Sequence, residues 1–137
     1  MIVKITPDDG AEYLLAEGGR ESPSDFKVEE QRSIQTATGL RWRQAKYFDR
    51  QNIQTTISFR VSRIHATVLE AEQFILDHGE AVPRSGLVEF VSESSGDPVG
   101  TRYIDASAVS AVLSDYTGVS TTHTYTILGG RVLDAAP

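Results

Sequence analysis

The sequence predicts a mainly β fold, an antiparallel β-sandwich or split barrel with one α-helix at about residues 67–78. Three observations carry that expectation. From Ile53 to Val61 the odd positions Ile53, Thr55, Ile57, Phe59 and Val61 alternate with Gln54, Thr56, Ser58 and Arg60, the period of two of a half-buried strand. Near the end, Val119, Thr121, His123, Tyr125 and Ile127 alternate in the same way with Ser120, Thr122, Thr124 and Thr126, and β-branched and aromatic types dominate. Only one stretch has a helical period, so strands do not alternate with helices and a parallel α/β sheet is disfavoured.

The elements follow in order. "MIVKIT" and "AEYLLAE" read as two short strands around the turn "PDDG", where Pro7 presets a turn angle and Gly10 accepts positive φ. "EGGRESPSD", residues 17–25, is a loop by its Gly, Ser and Pro content. "FKVEEQRSIQTAT" resumes strand character, with too many polar residues to reveal one buried face. Thr67 followed by Glu70 is a capping box, and Val68, Ala71, Phe74, Ile75 and His78 recur at helical spacing before Gly79 and Pro83 stop the helix. "LVEFVS", "VGTRYID" and "ASAVSAVLSDYTG" read as further strands, with "ESSGDP" as a loop and Thr117-Gly118 turning into the last strand. No linker separates two self-sufficient cores, so residues 1–137 are expected to form a single domain.

Composition excludes several classes. A chain of 137 residues buries roughly two thirds of the surface its unfolded form exposes, so the core needs no metal or disulfide. With no cysteine there is no thiol chemistry and no cysteine-based metal site. No apolar run approaches the roughly 18 residues of a membrane span, and the N-terminal stretch lacks a basic region followed by an apolar one; the expectation is a soluble, unexported chain. Thirteen Lys+Arg against 19 Asp+Glu, a net charge of −6, argues against a surface built to grip phosphates throughout.

Reactive chemistry is not signalled. The histidines His65, His78 and His123 have no metal-ligand spacing; His78 after Asp77 is read as a cation favoured by the helix C-terminus, and His123 as a hydrogen-bonded core or interface residue. His65, just before the helix, is read as either exposed or packed on the cap. Phosphate-binding, nucleophile-elbow and calcium-loop patterns are missing, and the pairs Glu29-Glu30 and Glu70-Glu72 do not share a face. The expectation is therefore a non-enzymatic chain with no cofactor and no metal.

One feature stands out. "GLRWRQAKYFDRQN" sets Arg41, Arg43, Lys46 and Arg50 among Trp42, Tyr47 and Phe48. Aromatic rings among arginines suit stacking on single-stranded nucleic acid, the alternative reading of the chain as a small β-barrel binding module for nucleic acid or another ligand. The same residue types are enriched at subunit interfaces, and a covering loop is a third reading. The acidic balance ranks nucleic acid last.

Together, "WRQAKYFDRQN", "IQTTISFRVSR", the capped "TVLEAEQFILDH" with "VPRSG", and "YTGVSTTHTYTILGG" resemble small tail proteins of bacteriophages and prophages, of the tail-tube-like or distal-tail-like group. The resemblance covers most of residues 26–130 and lies in segment order and texture. It implies a β-sandwich or split barrel with a helix at its side, and a structural subunit of a virion tail, made in the host bacterial cytoplasm. It further implies a homo-oligomeric ring, often a hexamer, contacts with other tail proteins, no membrane, and DNA only in transient passage. Residues 36–52 would match the long inter-strand loop that reaches a neighbour, with Arg41, Trp42, Arg43, Tyr47 and Phe48 as its contact residues.

Overall fold

A computed structural model describes residues 1–38 and 45–137; for residues 32–38 and 45–52 the description is of the backbone alone. Seven strands and one helix follow the chain as β1 (Ile2–Thr6), β2 (Tyr13–Ala16), β3 (Ser24–Thr38), β4 (Ala45–Ile64), α1 (Val68–Ala81), β5 (Gly86–Val91), β6 (Arg102–Thr117) and β7 (Ser120–Gly129). All seven strands belong to one sheet in the order β2-β1-β5-β6-β7-β4-β3, and every neighbouring pair is antiparallel.

The sheet curls until its interior face closes on itself. Laid flat, β5 and β4 would stand three strand spacings apart, about 14 Å. The Phe59 and Phe90 ring centroids are 6.3 Å apart, and Phe26 of the edge strand β3 lies 5.8 Å from Phe90. Arg63 of β4 donates to the Leu15 carbonyl of β2, strands that a flat sheet would hold about 24 Å apart. The expected sandwich-or-barrel fold is thus realised as one curled sheet, whose two halves are the two layers. Its core is Val3, Ile5, Leu15, Ile57, Phe59, Val61, Val88, Phe90, Ile104, Tyr125 and Ile127.

Alternation behaves as the sequence dictates. On β4, Ile53, Thr55, Ile57, Phe59 and Val61 are buried, and Arg63 continues the row inward. On β7, Thr121, His123, Tyr125 and Ile127 are buried. The segments "VGTRYID" and "ASAVSAVLSDYTG", expected as separate strands, form the single strand β6, because register shifts between Ala106 and Ala108 and between Leu113 and Asp115 absorb the breaks in alternation. Gly118, with φ of 57°, makes the left-handed turn into β7.

The helix starts where the cap predicts. The Glu70 amide donates to Thr67 Oγ1 at 3.1 Å, while Glu70 Oε2 accepts from the Ala66 amide at 3.2 Å. It runs three residues past the expected stop: Gly79 stays helical, and the turn ends at Ala81 because Val82, preceding Pro83, is extended at ψ of 121°. Of the expected inward stripe, Ala71 and His78 are buried, Phe74 and Ile75 half-buried, and Val68 largely exposed.

Candidate functional site

Where α1 meets the sheet, the interior is polar. His78 is 2% exposed and sits between two tyrosines: its Nδ1 is 2.7 Å from the Tyr13 hydroxyl of β2, and its Nε2 is hydrogen-bonded to the Tyr125 hydroxyl of β7. A neutral imidazole has one N–H and one lone pair, so it donates to one hydroxyl and accepts from the other. Phe74, one turn earlier, stacks on His78 at 4.4 Å and meets His123 edge-on at 5.5 Å. The Arg63 guanidinium lies between the Phe74 and Tyr125 rings, 5.0 and 5.7 Å from their centroids. His65 is packed, not exposed: its Nε2 bonds Thr121 Oγ1 at 2.8 Å and its ring lies 4.9 Å from Phe74.

The electrostatics of this cluster reverse the reading of His78 as a helix-end cation. Burial, then the Arg63 charge, then His123 depress its pKa from 6.5 to about 3, so near neutral pH it is neutral. The helix-end dipole is outweighed because the ring points into the core rather than into water. His123 falls to about 4 through burial, Arg63 and His65, in that order. Burial pushes the Tyr125 hydroxyl up to about 12, with Arg63 opposing, and raises Tyr13. His123 is a core residue as expected, but its Nδ1 is buried without a hydrogen-bond partner, as are one Arg63 terminal nitrogen and Thr55 Oγ1. Among the described residues Arg63 has no carboxylate partner.

This arrangement fastens a helix to a sheet. Four surface grooves among the described residues, about 330–400 Å³ in volume, are lined by residues other than His78 and His123. No group of three His, Asp or Glu side chains among the described residues is arranged to hold a metal ion.

The predicted contact segment has a different shape from the one expected. Instead of a long loop over residues 36–52, β3 and β4 continue as a two-stranded ribbon, paired from Ile34 with Asp49 to Thr38 with Ala45. Tyr47 pairs with Thr36 and Phe48 with Gln35 within it; Arg41, Trp42 and Arg43 lie outside the described residues. β7 pairs with β4 only over Thr55–Ile64, so no third strand accompanies the ribbon among the described residues. The sequence shows no loop signals there, and Thr, Ile, Tyr and Phe already favoured strands.

Sequence reasoning also missed a strand edge. β5 pairs with β6 only from Arg102 to Ala106, and beyond it the Val109 amide donates to the Arg84 carbonyl. Among the described residues no strand lies beside Ser110–Thr117 on the side of β6 away from β7. Val112 is 60% exposed and Leu113 38%. The other edges differ: β2 has only four residues, and β3 is long and bears exposed Lys27, Glu29 and Glu30. The Ser110–Thr117 stretch has Asp115 as its single charge. The alternation "SAVSAVLSDYT" pointed to a strand, but which neighbour ends early is a property of topology.

No protein-family model matches the chain, and no curated protein is similar to it.

Proposed function

We propose that the chain is a structural subunit of a phage-like tail that assembles with copies of itself by strand addition at the open edge of β6. The observation that carries this reading is the direction of the two long free edges. β6, β7, β4 and β3 alternate in direction, so β6 and β3 run oppositely. The β3 edge of a second copy, turned about an axis near the strand direction, therefore meets β6 antiparallel and continues the sheet. Such a contact is head-to-tail, and closing it produces a ring in which both long edges are paired.

The side chains agree with that pairing. Leu113 faces inward beside His123, and Val28 faces inward beside Ile57. Each is only partly covered, 38% and 47% exposed. A register that aligns the two inner faces sets Leu113 of one copy beside Val28 of the next, burying both. The projecting ribbon supports the same reading, because an isolated two-stranded hairpin is marginal in water and gains from a neighbour. The tail assignment itself rests on the resemblance of segment order; self-assembly rests on the edges.

Val112→Lys tests the proposal. Val112 lies on the outer face opposite Thr124, so lysine there leaves the core untouched while placing a charge at the edge, the usual protection against strand addition. Sedimentation velocity of the wild type is expected to give species above the 15.0 kDa monomer at high concentration, and of Val112→Lys the monomer. Salt-sensitive oligonucleotide binding lost on replacing Arg41, Trp42 and Arg43, with a wild type that stays monomeric, would instead favour the nucleic-acid module.

A further inference from the structure

We infer that the outer face of α1 receives the basic, aromatic segment 41–50 of a second copy; the inference rests on the self-assembly reading and names the surface that its projecting ribbon meets. The helix presents an unpartnered apolar stripe. Leu69 and Leu76 are 73% and 70% exposed, and they stand two turns apart on one face, about 10 Å along the axis. Glu72, Gln73 and Glu80 share that side, and the helix carries Glu70, Glu72, Asp77 and Glu80 with no Lys or Arg. The surface is thus two leucines in an acidic rim.

Its complement is in the same sequence. Residues 41–50 hold Arg41, Arg43, Lys46 and Arg50 against a single acid, Asp49, together with Trp42, Tyr47 and Phe48. Basic charge meets acidic charge, and aromatic side chains meet exposed leucines, the pattern of a charged rim around an apolar centre.

Topology makes the contact intermolecular. β4 begins in the ribbon at Ala45 and ends at Ile64, four residues before α1 begins at Val68. The helix packs back as far as Tyr125, which pairs with Phe59, so it lies about 14 strand residues, roughly 45 Å at the usual rise, from the start of β4. A chain cannot lay its own segment on its own helix. A copy displaced along the strand direction can, so the ribbon of one copy reaches the helix-bearing end of the next. This contact differs from edge pairing, which acts sideways.

The chain has no cysteine, which gives a direct test. Leu76→Cys and Gln44→Cys proteins are mixed under a mild oxidant and scored for disulfide-linked heterodimer, with Ser94→Cys plus Gln44→Cys as the control pair. The expected result is several-fold more heterodimer from the Leu76 pair than from the control, and its loss when Leu69→Ser and Glu72→Lys are added to the Leu76→Cys chain without a change in that chain's melting. Equal yields from both pairs overturn the inference. Val112→Lys separates the two claims: sideways assembly that it abolishes, without enriched cross-linking in the wild-type background, sinks the helix contact alone. Enriched cross-linking with a mass indifferent to Val112→Lys sinks the edge contact alone.

Discussion

Lowering the pH should loosen α1 through His78 before the carboxylates respond. The folded state holds this imidazole neutral between Tyr13 and Tyr125, with its pKa depressed from 6.5 to about 3. A histidine depressed on folding binds its proton more readily in the unfolded chain. Its contribution is therefore fully present above pH 6.5, shrinks as the pH falls towards about 3, and is gone below that. At about 1.4 kcal/mol per unit, the whole gap corresponds to about 5 kcal/mol for His78. His123, depressed to about 4, adds a smaller share that is not independent, because Arg63 acts on both. Urea unfolding between pH 7.5 and 4.5 reads this directly. The wild type is expected to lose about 1–3 kcal/mol over that range, whereas His78→Gln starts less stable and falls less steeply. Parallel curves for the two proteins would refute the buried neutral histidine.

Other consequences concern single residues. Arg63→Met removes a buried cation that has no carboxylate partner among the described residues; stability is expected to stay level or rise by about 1 kcal/mol, and an NMR titration should find His123 moved back towards 6.5. Thr67→Ala deletes the helix cap and should cost about 1 kcal/mol in chemical denaturation. A Cβ on Gly129 would stand 2.7 Å from the Asp105 carbonyl oxygen and 2.8 Å from the Ile104 side chain, so Gly129→Ala should lower stability by about 1–3 kcal/mol, read as a lower melting temperature.

Much of the fold was legible because burial imposes a period. The alternation on β4 and β7 gave their inward faces residue by residue, and Thr67 with Glu70 fixed the start of α1. What escaped were relations between elements. Arg63 sits two residues beyond Val61, on the inward row, yet nothing local says that its guanidinium reaches the β2 carbonyl of Leu15 across a curled sheet. His78 was misread because a helix C-terminus favours a cation only when water reaches the ring, and its tyrosine partners lie 65 and 47 residues away in the chain. The open edge of β6 exists only because β5 begins at Gly86 and stops pairing at Ala106. The basic, aromatic segment stood out in the sequence as a loop; over residues 45–52 the backbone is strand instead, in keeping with Tyr47 and Phe48 rather than with the charges.

Self-assembly as proposed pairs β6 of one copy with β3 of the next. Amide hydrogen exchange on dilute and concentrated protein measures that most directly, since the outer-edge amides of Ser110–Thr117 and of Lys27–Gln31 have no strand partner among the described residues of one chain. The account predicts that both segments become protected together as the sedimenting mass rises. A mass that rises while these amides exchange as fast as in the dilute protein would contradict it.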